Sequence, residues 1–418
     1  MYEKITLDNG VKILFENIPH VRSVSLGVWV GTGSRCENTR ENGASHFIEH
    51  MVFKGTGRRS ASQLASEMDA LGGQTNAFTT KECTCFYGRV LDTRLPQLTD
   101  ILCDMLFNSA FAEEDVVNER GVVLEEIDMY EDTPDDLVAE RLFAACYKGC
   151  SLARPILGKK STLDKMDGEF LRRYMRRRYL PKDITVALSG SFTDRDIELI
   201  KSAFSPLEGD GVNVFPEAVY TPAFTVKRKP IEQNHLMLAF PGLSDSHEDR
   251  YTMQILSTIL GGGMSSRLFQ SVREKRGLCY SIYSYNTSYK DTGLFCVYTA
   301  LGSDTEKEAI DAIMTQIDIM CTDKVPQEEL ECAVEQAKSN ILMGLESTST
   351  RMNRLARSEM CLGYVPEIDD LIRIYDSITS EDVRSLAQRV FDLDKLSFSA
   401  VGRVKRSGEY REMLSANF

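Results

Sequence analysis

The sequence predicts an α+β protein of two homologous domains, each a β-sheet covered by helices. Strand-like and helix-like stretches alternate along all 418 residues, as expected where helices pack onto sheets. The stretch YLPKDITVALSG (179–190) recurs as FDLDKLSFSAVG (391–402), 212 residues further on. A similar offset aligns VSLGVWVG (24–31) with HLMLAFPG (235–242), and a helical pattern follows each, so the two halves read as copies of one unit. Between them, 205–224 holds Gly209, Gly211, Pro206, Pro216 and Pro222 and has loop composition. The expected domains are 1–204 and 225–418, joined by 205–224 as a linker.

Taken in order, KITL (4–7) and VKILFE (11–16) flank an Asp8-Asn9-Gly10 turn and read as a hairpin. Residues 24–30 form the next strand. A short helix is expected over 42–54, where Ala44, Phe47, Ile48, Met51 and Val52 follow the i, i+3, i+4, i+7, i+8 spacing of a buried stripe. Gly55 is expected to end it as the C′ residue. A second helix over 62–71, closed by Gly72 and Gly73, leads into strands around QTNAFTT (74–80) and TCFYGRV (84–90). Three or four helices follow between 94 and 147, then a helix over 163–178, the strand ITVALSG and a helix over 195–204. In the second half, HLMLAFPG leads into DRYTMQILSTIL (249–260), which has no His or Glu where the first copy carries them.

Composition narrows the function classes. A 42% hydrophobic and 27% charged chain without an apolar run of about eighteen residues is expected to be soluble, not to span a membrane. Its net charge of −13, with no basic stripe beside its aromatic residues, argues against nucleic acid as a partner and permits basic ones. The N-terminus enters a strand pattern directly, without the features of a targeting leader. Eleven cysteines, an odd number without zinc-finger spacing, point to reduced thiols and a cytoplasmic protein.

The chemistry gathers on the 42–54 helix. His46, Glu49 and His50 fall within one narrow arc, opposite the apolar stripe. Histidines at i and i+4 can aim two neutral nitrogens at one tetrahedral metal, a geometry suited to zinc, with Glu49 placed to accept a proton from water. A hydrolytic site needs a third ligand, and the acidic helix NERGVVLEEIDMYED (118–132) offers Glu119, Glu125, Glu126 and Asp128. Glu119 and Glu126, two turns apart, share a face, and spacing alone does not choose between them.

The HFIEH motif (46–50), followed by ERGVVLEE with Glu126 lying 76 residues beyond His50, resembles the inverted-zincin peptidases of the pitrilysin family. That family includes insulin-degrading enzyme and the mitochondrial processing peptidase. The likeness is strongest to the processing-peptidase branch and its bacterial relatives and spans nearly the whole chain. The resemblance implies that His46, His50 and Glu126 hold Zn2+, that Glu49 is the general base, and that Glu119 supports the ligands. It implies that Asn76 and Ala77, in GGQTNAFTTKECT (72–84), lie on an edge strand to which a substrate peptide adds as a further strand. It also implies that Arg273 and Tyr280, seven apart, act on the substrate backbone and the developing oxyanion. The activity implied is zinc endopeptidase cleavage of peptides or extended unfolded segments, with basic presequence-like ones among the expected substrates. Peptidases of that two-domain branch work as dimers closed around a chamber, with the metal from one chain and the Arg and Tyr pair from its partner; since this chain carries both sets, the resemblance implies a homodimer with two composite sites. The alternatives are a scaffold subunit of the same fold and a non-catalytic peptide-binding protein that holds zinc for stability.

Overall fold

The computed structural model describes residues 2–415. In chain order its elements begin with β1 (Glu3–Thr6), β2 (Lys12–Asn17), β3 (Ser23–Val30), α1 (Ala44–Met51), α2 (Ala61–Ala70), β4 (Gln74–Thr79) and β5 (Thr84–Leu91). There follow α3 (Leu95–Asn108), α4 (Glu113–Asp132), α5 (Pro134–Cys146), α6 (Lys160–Leu163), α7 (Gly168–Arg178), β6 (Ile184–Gly190) and α8 (Asp194–Phe204). The second half holds β7 (Phe224–Arg228), β8 (Asn234–Pro241), α9 (Arg250–Gly261), β9 (Cys279–Ser288), β10 (Gly293–Leu301) and α10 (Glu306–Thr322). It ends with α11 (Gln327–Gly344), α12 (Thr348–Leu362), α13 (Ile368–Ser377), α14 (Ser380–Val390), β11 (Ser397–Gly402) and α15 (Ser407–Ser415).

These elements form two compact α+β units, each around one mixed sheet. The first sheet runs β1-β2-β6-β3-β5-β4 and the second β7-β11-β8-β10-β9. In the first, β2 and β6 are parallel, and β6, β3, β5 and β4 then pair antiparallel. The second repeats this order: β7 and β11 are parallel, and β11, β8, β10 and β9 pair antiparallel. The repeat seen in the sequence is thus a repeat of topology, and β1 is an addition to the first copy.

Each sheet is buried on both faces, so its central strands are not half polar. Every residue of β6 is buried, as is every residue of β3 after Ser23. In the first unit one face packs Val28, Val186 and Phe86 against Phe47, Ile48 and Met51 of α1 and Leu98 and Met105 of α3. The other face, Leu14, Trp29, Cys85 and Ala187, is covered by Met352, Leu355 and Ala356 of α12. In the second unit Leu236, Leu238 and Phe240 face α9, α10 and α14, while Met237 and Ala239 face Leu137, Val138 and Leu142 of α5. Successive β8 side chains alternate between these two cores, as strand geometry requires.

The compact units are consequently discontinuous, where the sequence repeat suggested contiguous domains of 1–204 and 225–418. The first comprises the chain up to Asp128, Arg154–Pro216 and Leu342–Val365; the second comprises Met129–Ala153, Glu217–Ile341 and the chain from Pro366 onward. The reason is physical. A sheet needs cover on two faces, and the helix that covers the second face of each sheet comes from the other half of the sequence.

Local boundaries differ in two further places. The 42–54 helix is shorter than expected: Val52 caps α1, Phe53 and Lys54 continue as tighter i−3 turns, and Gly55, at φ +108°, turns the chain toward Arg59 rather than serving as C′. The helix expected over 163–178 begins only at Gly168, as α7, with Asp167 capping it through the Phe170 N–H, and the short α6 ends at Leu163 before it.

Candidate metal centre

Helix α1 lays its apolar stripe into the first core: Ala44, Phe47, Ile48, Met51 and Val52 are all fully buried. That leaves His46, Glu49 and His50 on the opposite arc, facing α4. Glu119 and Glu126 reach them from α4 across two turns of helix.

The Nε2 atoms of His46 and His50 lie 3.5 and 3.6 Å from Glu126 Oε2. One donor atom from each of His46, His50 and Glu126 fits within a 4.8 Å span. These separations are too long for good hydrogen bonds. They match ligands placed around one ion, since tetrahedral bonds of about 2.0–2.1 Å set donors roughly 3.3–3.5 Å apart. Two imidazole nitrogens and one carboxylate oxygen form a donor set that zinc accepts. Among the described residues this is the one cluster able to hold a metal.

The protonation states suit that task. Burial, reinforced by the neighbouring His50, drives the His46 imidazole down to about 3, so its ring stays neutral with a free lone pair. His50 Nδ1 lies 2.9 Å from Glu119 Oε1, whose other oxygen pairs with Lys54 Nζ at 2.6 Å. The acceptor Glu119 favours the tautomer with the proton on Nδ1 and leaves the Nε2 lone pair facing Glu126. Burial pushes the Glu49 carboxyl above its usual range, and a hydrogen bond with the Thr79 hydroxyl partly offsets this. Glu49 Oε2 is buried and has no hydrogen-bond partner, an acceptor whose bonding capacity is unused.

The remaining expected residues are placed as follows. Asn76 and Ala77 lie on β4, the edge of the first sheet, opposite Tyr87 and Phe86 of β5. β4 packs against α1, and its last residue is the Thr79 that reaches Glu49. Arg273 and Tyr280 belong to the second unit and lie together: the guanidinium sits 4.5 Å from the Phe269 ring centre and 5.8 Å from that of Tyr280. Tyr280 is 73% exposed. Arg267, also near Arg273 in sequence, instead forms two bonds of 2.8 and 2.9 Å to Glu329.

Sequence reasoning missed Lys54, Thr79 and Glu37. Lys54 stands four residues after His50, a spacing that could have suggested a shared face. Thr79 and Glu37 reach α1 only through the fold, and local spacing carries no signal for them.

A family model described as insulinase (peptidase family M16) matches residues 12–160, and one described as peptidase M16 inactive domain matches 165–337. The uncharacterized zinc protease YmxG of Bacillus subtilis is 42% identical over 396 residues, covering 94% of this chain and 97% of that protein. An uncharacterized zinc protease of Streptomyces coelicolor is 39% identical, covering 96% of this chain and 90% of the other. A protease structure from Helicobacter pylori superposes with a TM-score of 0.89 at 20% identity, covering 96% of this chain and 99% of that one. A peptidase M16 inactive domain structure from Pseudomonas fluorescens gives 0.88 at 20% identity, with 97% and 98% covered. At that identity the structures speak to the fold alone.

Proposed function

This chain belongs to the insulinase (M16) peptidase family, and from that premise we propose that it is a zinc-dependent endopeptidase acting on peptides or extended unfolded segments. The observation that carries the reading is the convergence of His46, His50 and Glu126 beside a buried, unpartnered Glu49 oxygen. His46, His50 and Glu126 hold Zn2+, and Glu119 with Lys54 steadies His50. When bound, zinc supplies a Lewis acid that polarises a carbonyl and acidifies water. Glu49 takes the proton of the attacking water and returns one to the leaving amine, a role suited by its place on the same face of α1 as His46 and His50. The substrate lies along the β4 edge, where Asn76 and Ala77 offer backbone and amide hydrogen bonds. Arg273 and Tyr280 hydrogen-bond the carbonyl oxygen as its charge grows. A preference for basic, presequence-like peptides fits the net charge of −13. The cysteine usage accords with a cytoplasmic enzyme.

The test is cleavage of a quenched basic peptide. Glu49→Gln should bind zinc as wild type does yet lose at least about 10²-fold in kcat, the span typical of a lost general base. Unaltered turnover in a zinc-loaded Glu49→Gln protein would sink the mechanism. A scaffold or zinc-stabilised binding protein would show no turnover in wild type either.

We further propose a homodimer whose sites combine the metal of one chain with Arg273 and Tyr280 of its partner. Mixing inactive Glu49→Gln with inactive Arg273→Ala chains should then restore about a quarter of the activity for random pairing with one intact site per mixed dimer, an order-of-magnitude expectation from isologous C2 symmetry. No recovery despite demonstrated subunit exchange refutes sharing between chains.

A further inference from the structure

Helix α1 has eight residues and starts without a cap of its own, because Gly43 at its N-cap, at φ +99°, has no side chain to offer. The cap comes from Glu37, six residues upstream. Its Oε2 accepts the Gly43 N–H at 2.8 Å and the Asn42 side-chain amide at 3.0 Å, and its Oε1 accepts the Ser45 N–H at 2.8 Å. Glu37 is 2% exposed. Helix caps are ordinarily short polar side chains at the surface; a buried carboxylate is a costly substitute unless all its hydrogen bonds are made. Burial pushes its carboxyl up to about 7 against the pull of those donors.

The same turn is fixed on its other sides. The Ser45 hydroxyl lies 2.9 Å from the Tyr174 hydroxyl, and the Asn42 amide donates to Pro155 O at 2.8 Å. A Cβ on Gly43 would stand 2.9 Å from Gly158 Cα, so the backbone needs glycine here for close approach as well as for its positive φ. His46 is the next residue after Ser45. Unlike His50, whose Nδ1 meets Glu119, His46 has a buried Nδ1 with no hydrogen-bond partner. A ligand ring ordinarily takes its orientation from a partner on its second nitrogen. For His46 that partner is lacking, and its aim depends on the backbone that bears it.

We propose that Glu37 is a positioning residue of the metal centre, fixing the first turn of α1 so that His46 meets the ion held by His50 and Glu126. The proposal rests on the zinc reading above. It is tested by the zinc dissociation constant of the full-length chain, measured by chelator competition at pH 8. Glu37→Gln keeps the size but turns one acceptor oxygen into a donor facing other donors, and should weaken zinc binding at least tenfold. Glu37→Asp, which draws the charge back by one methylene, should fall between Gln and wild type and stands in if the Gln variant does not fold. Ile200→Ala, in α8 of the same core, should lower the melting temperature while holding zinc affinity within twofold. Two variants at Glu37 that both bind zinc within twofold of wild type overturn the proposal, as does an Ile200→Ala protein that loses as much affinity as Glu37→Gln. A wild-type chain without zinc affinity overturns the zinc reading together with this one.

Discussion

His46, Glu49 and His50 were legible because a helix converts their spacing into a shared face, and the apolar residues between them settle which face is buried. Glu126 was half legible: the two-turn spacing from Glu119 put both carboxylates on one side, but their roles depend on where α4 lies over α1. The structure separates them. Glu126 reaches both histidines, whereas Glu119 meets only the Nδ1 of His50 and shares its charge with Lys54. Removing Glu119 thus leaves the metal donors in place and frees the ring that carries one of them. Glu119→Ala should weaken zinc binding by about 10–100-fold, the usual range for a lost outer partner of a ligand histidine. Glu119→Gln, whose amide oxygen can still accept the Nδ1 proton, should lose less. Chelator competition on the two variants checks this ordering, and equal affinities in wild type and Glu119→Ala would remove Glu119 from the site. Glu37 and Thr79 were not legible at all, since each reaches α1 through a loop or a strand edge whose position only the assembled fold determines.

At the scale of elements, α1 and α12 show what a pattern can and cannot reveal. The stripe of α1 identifies its buried face and so the opposite face, which carries His46, Glu49 and His50. An amphipathic helix does not say which surface it covers, however, and nothing in the sequence of α12 names the first sheet as its partner. The contacts are specific all the same. Glu359, 2% exposed, is paired with Lys4 and Lys12 at 2.6 and 3.0 Å, Arg351 meets Glu16 at 2.6 Å, and the Ser25 hydroxyl lies 2.9 Å from that of Thr348. Between these polar ends, Met352, Leu355 and Ala356 close over Trp29, itself 1% exposed. A cavity at the middle of this contact should cost as much as one in any core. Leu355→Ala should destabilise the first unit by about 2–5 kcal/mol, read as an earlier urea transition. A change below about 0.5 kcal/mol, typical of a surface site, would mean that α12 is a loosely held cover.

For the whole molecule, the sequence repeat correctly foretells two copies of one topology, because each copy's strands recur at nearly the same offset. It does not foretell the exchange of covering helices, which lies outside the matched strands and needs a count of sheet faces rather than of strands. Each unit takes one helical cover from the other half of the chain, α12 for the first and α5 for the second. We expect, therefore, that the two halves of the repeat do not fold independently. A fragment of residues 1–204 would keep both histidines and both glutamates yet expose Leu14, Trp29 and Ala187. Losing the burial of Met352, Leu355, Ala356 and Val365 alone removes on the order of 5 kcal/mol, comparable to the whole stability of a typical domain. The 1–204 fragment should consequently show no cooperative thermal transition and no tight zinc binding. A chain of 1–128, 154–216 and 342–365 joined by Gly/Ser linkers, which is the first unit alone, should regain both, and the same chain carrying Leu355→Asp should lose them again, because the charge would stand against the apolar face. Calorimetry and zinc competition on the three proteins decide the matter: cooperative unfolding of 1–204 by itself would show that the sheet tolerates one bare face and that the repeat does mark independent domains.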